Sequence, residues 1–225
     1  MASVAAIRGR IAAACALAGR DPAGVTLVAA SKSQPPEKLL LAWEAGVRVF
    51  GENRVQEAAG KRDALPAAAE WHLLGPLQSN KARAAAEQFR TFHALDRPKI
   101  FHALAAEAAR RGIELAAFAE VNLGGEASKH GFPPAGLGET LEPLHALPGL
   151  RLVGLMAIPP PEEAAPAARR WFAMLRELRD ELAARPGWDG FPGWLSMGMS
   201  DDFELAIAEG ATHVRVGTAL FGPRP

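Results

Sequence analysis

The chain has 225 residues and carries 25 Lys plus Arg against 25 Asp plus Glu, so its formal net charge at pH 7 is zero. Its 49% hydrophobic and 22% charged residues are typical of a globular domain, and the charge balance argues against a nucleic-acid-binding or membrane-surface protein. The one cysteine, Cys15, excludes an internal disulfide and suits a reducing compartment.

The N-terminal segment predicts an amphipathic helix. Arg8 and Arg10 interrupt its apolar residues, and its uncharged run 11–19 is too short to span a membrane. It also lacks the charged start followed by an apolar stretch that marks a secretory signal. We therefore expect no membrane segment and a cytoplasmic location.

Strands and helices alternate along the first half of the chain. Apolar segments rich in β-branched residues predict strands, and the segments between proline and glycine signals predict helices. The predicted strands are 24–31, 47–50, 70–75 and 91–95, and the helices that follow them are 36–46, 53–65, 78–89 and 97–112.

The second half continues the alternation. It contains four predicted strands and three predicted helices, and a short tail after the last strand. The strands are 114–123, 150–157, 193–196 and 212–217, the helices are 134–147, 161–185 and 200–210, and the tail is 218–225. Alternation of this kind predicts an α/β protein with a parallel sheet, and eight units in roughly 200 residues predict a closed (β/α)8 TIM barrel. We expect one domain over 1–225 with an extra N-terminal helix; an open doubly wound sheet is the alternative.

Polar residues follow several of the predicted strands at their C-terminal ends, the face on which such barrels place their active sites. Lys32 ends the first strand, Asn53 follows the second, and His72 belongs to the third. In the eighth strand, Arg215 alternates with valines, so it is expected to face the barrel interior together with His213. These residues are the candidates for a site.

The turns after the last two strands are suited to an anion. Ser200 is a predicted N-cap, and the free N–H groups at a helix start favour negative charge. Gly198 lets the backbone approach a ligand closely, and Thr218 offers a hydroxyl group. Because barrels often bind phosphate in these loops, we expect a phosphate between 198–201 and 217–218.

Lys32 is expected beside this phosphate position, because the eighth strand of a closed barrel neighbours the first. A lysine amine in an apolar barrel mouth is a good nucleophile toward an aldehyde. A phosphorylated aldehyde held by the two turns would present its carbonyl to Lys32. Pyridoxal phosphate fits this description, and so do the sugar phosphates of lysine aldolases.

Several of these features also have readings without a ligand. Lys32 could be a surface lysine at a strand end, and Arg215 could form an ion pair with Glu120 inside the barrel. The segment 124–131 could be a plain loop, or a lid that carries Lys129 over the barrel mouth. The histidines show no metal-ligand spacing, so no metal site is predicted.

Seven motifs occur in order along the chain from about residue 25 to its end. They are VAASK at 28–32, FGENRVQE at 50–57, WHLLGPLQSNK at 71–81, VNLGGEASKHG at 121–131, GLMAIPP at 154–160, LSMGMSDDFELAI at 195–207 and VRVGTALFG at 214–222. Together they resemble the pyridoxal phosphate homeostasis protein family, also called the YggS or PROSC family.

The resemblance implies the barrel fold of alanine racemase and a role in binding pyridoxal 5'-phosphate (PLP) for vitamin B6 homeostasis. PLP would be held as an internal aldimine on Lys32, with Asn53 lining the pocket and Arg215 near the pyridine nitrogen. The residues that the resemblance places around the phosphate are Met199, Ser200, Gly217 and Thr218. PLP-dependent apo-enzymes are the recipients that it suggests, and we expect a monomer.

Two positions depart from the family pattern. Arg54 replaces the tyrosine that commonly follows "GEN", and Gln34 replaces a second lysine two residues after Lys32. A release step assisted by that second lysine is therefore not expected here. Lys129 matches the lysine of the family's "EASK" motif.

Composition bears on whether the protein is an enzyme. The chain contains no tyrosine, so it cannot supply the tyrosine base that the resembled racemases use. A charged Arg215 beside the pyridine nitrogen would also disfavour its protonation and weaken the cofactor as an electron sink. We therefore favour a binding protein without assigned catalytic residues, and keep a PLP-dependent amino-acid racemase or lyase as the alternative.

Overall fold

Eight parallel strands close into a barrel in the computed structural model, which describes residues 3–126, 130–160 and 165–222. The strands follow one another around the barrel in chain order, and β8 pairs with β1. Their bounds are β1 Thr26–Ala30, β2 Val49–Glu52, β3 Glu70–Leu73, β4 Thr91–Leu95, β5 Leu115–Glu120, β6 Leu150–Met156, β7 Trp194–Ser196 and β8 His213–Val216. This order confirms the predicted (β/α)8 barrel over the open doubly wound sheet.

Helices follow the strands and cover the outside of the barrel. Their bounds are α1 Val4–Leu17, α2 Pro36–Glu44, α3 Val55–Arg62, α4 Ala82–Gln88, α5 Pro98–Arg111, α6 Leu137–His145, α7 Ala165–Ala183, α8 Phe203–Ala208 and α9 Thr218–Phe221. Positions 161–164, where the seventh predicted helix was expected to start, lie outside the described residues. Within the described ranges, no helix is long and apolar enough to cross a membrane.

The extra N-terminal helix α1 begins at the N-cap Ser3, whose Oγ accepts a hydrogen bond from the Ala6 N–H. It buries Ile7 and Ile11 on one face and packs against α8. Arg10 strengthens this contact, since its Nε lies 2.6 Å from Glu204 Oε1. The N-terminal helix predicted from the sequence is therefore confirmed, and one of its faces is buried.

The two parities of β8 face different environments. Val214 and Val216 belong to the core cluster between the barrel and its helices. His213 lies inside the barrel, where its ring is 5.1 Å from that of Phe118, and Arg215 is buried on the same parity. The expected division of the strand into helix-facing valines and interior polar residues is confirmed.

Barrel closure between β6 and β7 depends on Gly154. A Cβ at this position would lie 1.9 Å from the Trp194 carbonyl oxygen, well inside van der Waals contact. A side chain here would therefore push β7 away from β6. The close approach of the two backbones explains a glycine in the middle of this strand.

Two boundary predictions after β7 and β8 are wrong. The helix expected over 200–210 starts only at Phe203, because the Asp202 carboxylate accepts from the Met199 N–H at 2.6 Å and closes a turn first. Ser200 is not its N-cap. The tail expected after β8 contains the one-turn helix α9, with Gly217 at its N-cap position.

Candidate functional site

A cavity of about 250 Å³ opens at the C-terminal face of the barrel, between the ends of β1, β2, β7 and β8. It brings together the seven residues that the family resemblance places around PLP, which are Lys32, Asn53, Met199, Ser200, Arg215, Gly217 and Thr218, whereas the candidates His72, His213 and Gly198 do not line it. The other lining residues are Ala30, Gln34, Leu74, Ile158, Asp201 and Gly222, of which the sequence analysis gave only Gln34 particular attention.

Lys32 is half-buried and lies two residues beyond the end of β1. The register that pairs Val28 with Arg215 sets β1 directly beside β8. The two strands also approach closely at their ends, since a Cβ on Gly217 would lie 3.1 Å from the Ala30 carbonyl oxygen. Lys32 is therefore held next to the turn that follows β8, as barrel closure predicted.

A buried ion pair supports the backbone around Lys32. Glu52 Oε1 lies 2.6 Å from Lys61 Nζ and accepts a 2.6 Å hydrogen bond from Ser31 Oγ. Lys61 Nζ also donates to the Ser31 carbonyl at 2.8 Å. These three residues, the Ser31 cluster, are buried; Ser31 immediately precedes Lys32, and Glu52 immediately precedes Asn53.

Burial raises the pKa of the Glu52 carboxyl, although the hydrogen bonds from Lys61 and Ser31 act in the opposite direction. Its second oxygen, Oε2, is buried and has no hydrogen-bond partner among the described residues. The sequence reasoning missed this cluster, because Glu52 and Lys61 are nine positions apart on a strand and the following helix. The cluster connects β1, β2 and α3 directly beneath the rim of the cavity.

Asn53 owes its place to a close packing of two loops. It directly follows β2, and its carbonyl oxygen would lie 2.3 Å from a Cβ added to Gly75. The glycine therefore allows the chain after β3 to pass against the Asn53 backbone. This contact fixes Asn53 at the cavity wall.

Arg215 is buried and is held by three acceptors from neighbouring strands. Its Nη1 donates to the carbonyl and the Oγ of Ser196 at 2.7 and 2.6 Å, and its Nη2 donates to the Ala157 carbonyl at 3.1 Å. Burial lowers the pKa of Arg215 to about 10, while the charges of Asp202 and Glu120 oppose that shift. The guanidinium therefore remains charged at neutral pH.

Glu120 does not form the ion pair with Arg215 that the sequence left open. Among the described residues, Arg215 makes its hydrogen bonds to Ser196 and Ala157, and no ion pair joins it to Glu120. Glu120 Oε2 is buried and finds no hydrogen-bond partner in the described part of the chain. Burial and the nearby Asp96 raise the pKa of the Glu120 carboxyl, while the charges of His130 and Arg215 act in the opposite direction.

The turns after β7 and β8 are tied together by Ser200. Its Oγ accepts a 3.1 Å hydrogen bond from the Ala219 N–H in the first turn of α9. The Ser200 hydroxyl proton is then available to donate to another acceptor. Thr218 adds a hydroxyl on the same wall of the cavity, and its N–H at the helix start lacks an intrahelical acceptor.

Gly198 has a different role from the one expected. Its φ of +89° favours glycine, and a Cβ would lie 2.6 Å from that of Ala206. Its carbonyl accepts from the Arg215 N–H at 3.0 Å. Gly198 therefore packs the turn against α8 and β8, and the cavity lining does not include it.

Gln34 occupies the position of the second lysine of the family pattern. It is buried, and its Oε1 accepts a 3.0 Å hydrogen bond from Lys38 Nζ, one turn into α2. Lys38 also donates to the Phe221 carbonyl at 2.9 Å and so ties α2 to α9. Arg54 is largely exposed, and Lys129 lies outside the described residues.

The fold and the lysine-bearing cavity define a class of protein that the comparisons also indicate. The sequence matches the family model described as "Alanine racemase, N-terminal domain" over residues 3–225. The crystal structure of alanine racemase from Corynebacterium glutamicum superposes with a TM-score of 0.71 at 19% identity, and covers 99% of this chain and 62% of that one. At this identity the likeness shows a shared barrel fold.

Relatives with higher sequence identity identify the family within this class. The pyridoxal phosphate homeostasis protein of Pseudomonas aeruginosa is 48% identical over 99% of this chain and 94% of its own, and that of Aquifex aeolicus is 44% identical over 96% and 94%. A structure of PipY from Synechococcus elongatus with PLP bound has a TM-score of 0.83 at 40% identity, and covers 96% of this chain and 100% of that one. The chain belongs to the pyridoxal phosphate homeostasis protein family.

Proposed function

We propose that this protein binds PLP in the cavity between β1, β7 and β8 and serves in PLP homeostasis. One observation carries the proposal: the Lys32 amine, the Arg215 guanidinium and the hydroxyl groups of Ser200 and Thr218 converge on one cavity of about 250 Å³. An amine, a cation and a set of hydroxyl and N–H donors match the aldehyde, the pyridine nitrogen and the phosphate of PLP.

Lys32 is the proposed point of covalent attachment. A primary amine is the group that condenses with an aldehyde, and Lys32 is the lysine in the cavity lining. Its half-buried position leaves part of the side chain in contact with solvent. Asn53 forms the facing wall from β2, so the amine lies between two strand ends that the Ser31 cluster holds in place.

Arg215 is the proposed partner of the pyridine nitrogen. Its hydrogen bonds to Ser196 and Ala157 use three of the five N–H groups of a guanidinium. Within the described part of the chain, the other two take no protein acceptor. Bound PLP supplies an electron-withdrawing ring, and a charged Arg215 keeps the ring nitrogen unprotonated, which suits holding the cofactor better than stabilising carbanions.

The phosphate would be held by the turns after β7 and β8. Ser200 has a hydroxyl proton to donate, because its Oγ already accepts from Ala219. The Thr218 N–H at the start of α9 adds a donor that favours an anion. Met199 covers the same wall and is partly exposed at the cavity rim.

The comparisons support this proposal, and its main evidence is the geometry of the cavity. The relatives from Pseudomonas aeruginosa and Aquifex aeolicus bear the name pyridoxal phosphate homeostasis protein, and the PipY structure contains PLP.

We extend the proposal to a single-domain monomer in the cytoplasm that supplies PLP to apo-enzymes. A free, buried Cys15 fits a reducing compartment, and light scattering should give a mass near 23.8 kDa.

Covalent attachment is tested by absorbance and intact mass after incubation with PLP and borohydride reduction. We expect a near-visible band and one added cofactor per chain, mapped to Lys32. Lys32→Ala should lose both signals, and Lys99→Ala, a change at an exposed lysine on α5, should keep both. An unmodified Lys32 in the wild-type protein would overturn the proposal.

Amino-acid turnover separates a carrier from an enzyme. The PLP-loaded protein is incubated with single amino acids, and racemisation and cleavage products are followed. We expect no steady turnover above that of free PLP, since the chain has no tyrosine to act as the racemase base. Turnover that Lys32→Ala abolishes would assign a racemase or lyase function instead.

A further inference from the structure

A series of hydrogen bonds crosses the barrel interior from the cavity to the opposite end. Arg215 Nη1 donates to Ser196 Oγ at 2.6 Å, and Ser196 Oγ lies 2.7 Å from His93 Nδ1. His93 Nε2 lies 2.9 Å from His72 Nδ1, and His72 Nε2 lies 2.8 Å from Glu70 Oε1. We call these five residues the histidine chain.

The residues along the histidine chain are buried, and the residue at its far end is exposed to solvent. Ser196 and His93 are fully buried, and the ring of Phe118 stacks on His93 with 4.6 Å between centroids. Glu70 begins β3 at the N-terminal face of the barrel, and its side chain is 53% exposed. The chain therefore joins the two faces of the barrel through its interior.

The two ends fix the direction of every hydrogen bond between neutral rings. A guanidinium only donates and a carboxylate only accepts, so Arg215 donates to Ser196 and His72 Nε2 donates to Glu70. His72 Nδ1 then accepts from His93 Nε2, and His93 Nδ1 accepts from the Ser196 hydroxyl. Burial, helped by the positive charge of Arg215, lowers the pKa of His93 well below its usual value, which keeps this ring neutral.

His213 lies beside these residues but outside the series. Its Nδ1 is 2.9 Å from Thr212 Oγ1, and its ring centroid is 5.8 Å from that of His93. Burial lowers the pKa of His213 to about 3, so it adds no positive charge to the interior at neutral pH. The charged ends of the series are therefore Arg215 and Glu70.

We propose that Ser196, His93 and His72 are positioning residues, which fix the rotation of the Arg215 guanidinium toward the bound ring and extend its polarisation to Glu70. The proposal rests on the PLP function proposed above. In the described residues, Arg215 has no carboxylate within ion-pair distance, and the histidine chain provides, through Ser196 Oγ, one of the three acceptors of this buried charge.

The direction of the hydrogen bonds is tested first, on protein without PLP. Nitrogen-15 chemical shifts of the histidine rings report which ring nitrogen carries the proton. We expect both His72 and His93 to carry it on Nε2 near neutral pH. A proton on Nδ1 of neutral His93 would overturn the proposed direction, and this result does not depend on whether PLP binds.

The effect on the cavity is tested with Ser196 variants loaded with PLP. Ser196→Ala removes the hydroxyl that connects Arg215 to His93, and we expect a shifted absorbance maximum and about tenfold faster loss of PLP, which corresponds to about 1.4 kcal/mol. Ser196→Thr keeps a hydroxyl and should stay close to wild type. His102→Ala, at an exposed histidine on α5, is the matched control.

A second variant acts at the far surface and guards against a folding defect. Glu70→Ala removes the terminal acceptor at the opposite face of the barrel, and we expect a smaller absorbance shift in the same direction, while Glu70→Gln keeps an acceptor and should restore the wild-type maximum. Unchanged spectra and dissociation rates in Ser196→Ala and Glu70→Ala would overturn the proposal. Failure of wild-type protein to bind PLP would instead contradict the proposed function.

Discussion

The Ser31 cluster and the histidine chain support the same cavity by different chemistry. The Ser31 cluster lies between the strand ends and α3, and holds the chain on either side of Lys32 and Asn53 through the ion pair of Lys61 with Glu52. The histidine chain lies inside the barrel and holds the side chain of Arg215 through uncharged groups. The Ser31 cluster fixes the backbone around Lys32 and Asn53, and the histidine chain fixes the orientation of the Arg215 side chain.

The difference between the two groups shows two ways in which a fold can hold charged side chains in its interior. A buried ion pair is destabilised when one partner is removed, because the remaining charge keeps its desolvation cost. A series of neutral groups that ends in an exposed carboxylate loses only a hydrogen bond when that carboxylate is removed. The two arrangements should therefore respond differently to truncation and to acid.

Removing one carboxylate from the Ser31 cluster and one from the histidine chain should distinguish the two groups most clearly. Glu52→Ala leaves the Lys61 ammonium buried beside Ser31, and we expect a loss of about 3–5 kcal/mol in the free energy of unfolding. Glu70→Ala, at a half-exposed site, should cost about 1 kcal/mol. Urea denaturation measures both, and equal losses would contradict the distinction drawn between the two groups.

Acid should act through the barrel interior rather than through the Ser31 cluster. Burial lowers the pKa of His93 and takes that of His213 to about 3, while unfolded histidine titrates near about 6.5. Between those values the unfolded chain binds more protons, so stability falls as pH falls, by up to about 1.4 kcal/mol per pH unit for each histidine. The raised pKa of the Glu52 carboxyl contributes with the opposite sign.

Urea denaturation at several pH values between about 7 and 5 measures this slope. His213→Phe should lose less stability per pH unit than wild type over that range. His102→Ala changes an exposed histidine on α5 and serves as the control. The same slope in His213→Phe and wild type would show that His213 does not cause the acid sensitivity.

Gly75→Ala tests whether backbone position at the cavity wall matters. The added methyl group would lie 2.3 Å from the Asn53 carbonyl oxygen, so Asn53 must move, at a cost of about 1–3 kcal/mol. We expect PLP affinity to fall about tenfold, measured by titration at the cofactor's absorbance. Gly60→Ala in α3 meets nothing within 4 Å and should stabilise the protein by about 0.5–1 kcal/mol. Equal PLP affinities would contradict the role given to Asn53.

Lys38→Met should give the smallest effect. It removes the hydrogen bonds to Gln34 and to the Phe221 carbonyl, and we expect a loss of about 1 kcal/mol and a melting temperature lower by roughly 2–4 °C. Differential scanning calorimetry measures this change. Lys99→Met, at an exposed position of α5, should leave the melting temperature unchanged.

The barrel and part of the cavity lining were predictable from local signals. Strand and helix alternation predicted the eight units, and the valines flanking Arg215 predicted which residues of β8 point inward. Closure of the barrel then placed Lys32 beside Gly217. These inferences need only two facts: side chains alternate between the two faces of a strand, and the first and eighth strands are neighbours in a closed barrel.

The two supporting groups were not predictable, because they depend on register between elements. His72 and His93 meet only when the stagger of β3 against β4 is known, and Ser196 joins them from β7. Local competition explains the other errors. Asp202 binds the Met199 N–H and displaces Ser200 as a cap, and that leaves the Ser200 hydroxyl to bridge to α9.

The pairing of β1 with β8 also sets an order of events during folding. Lys32 follows the first strand and Gly217 follows the eighth, and contacts between parts of the chain so far apart form slowly. A chain still under synthesis carries the Lys32 amine long before the turn after β8 exists. A ligand that needs both is therefore captured only after the barrel closes, and from then on its free concentration adds to the stability of the closed form.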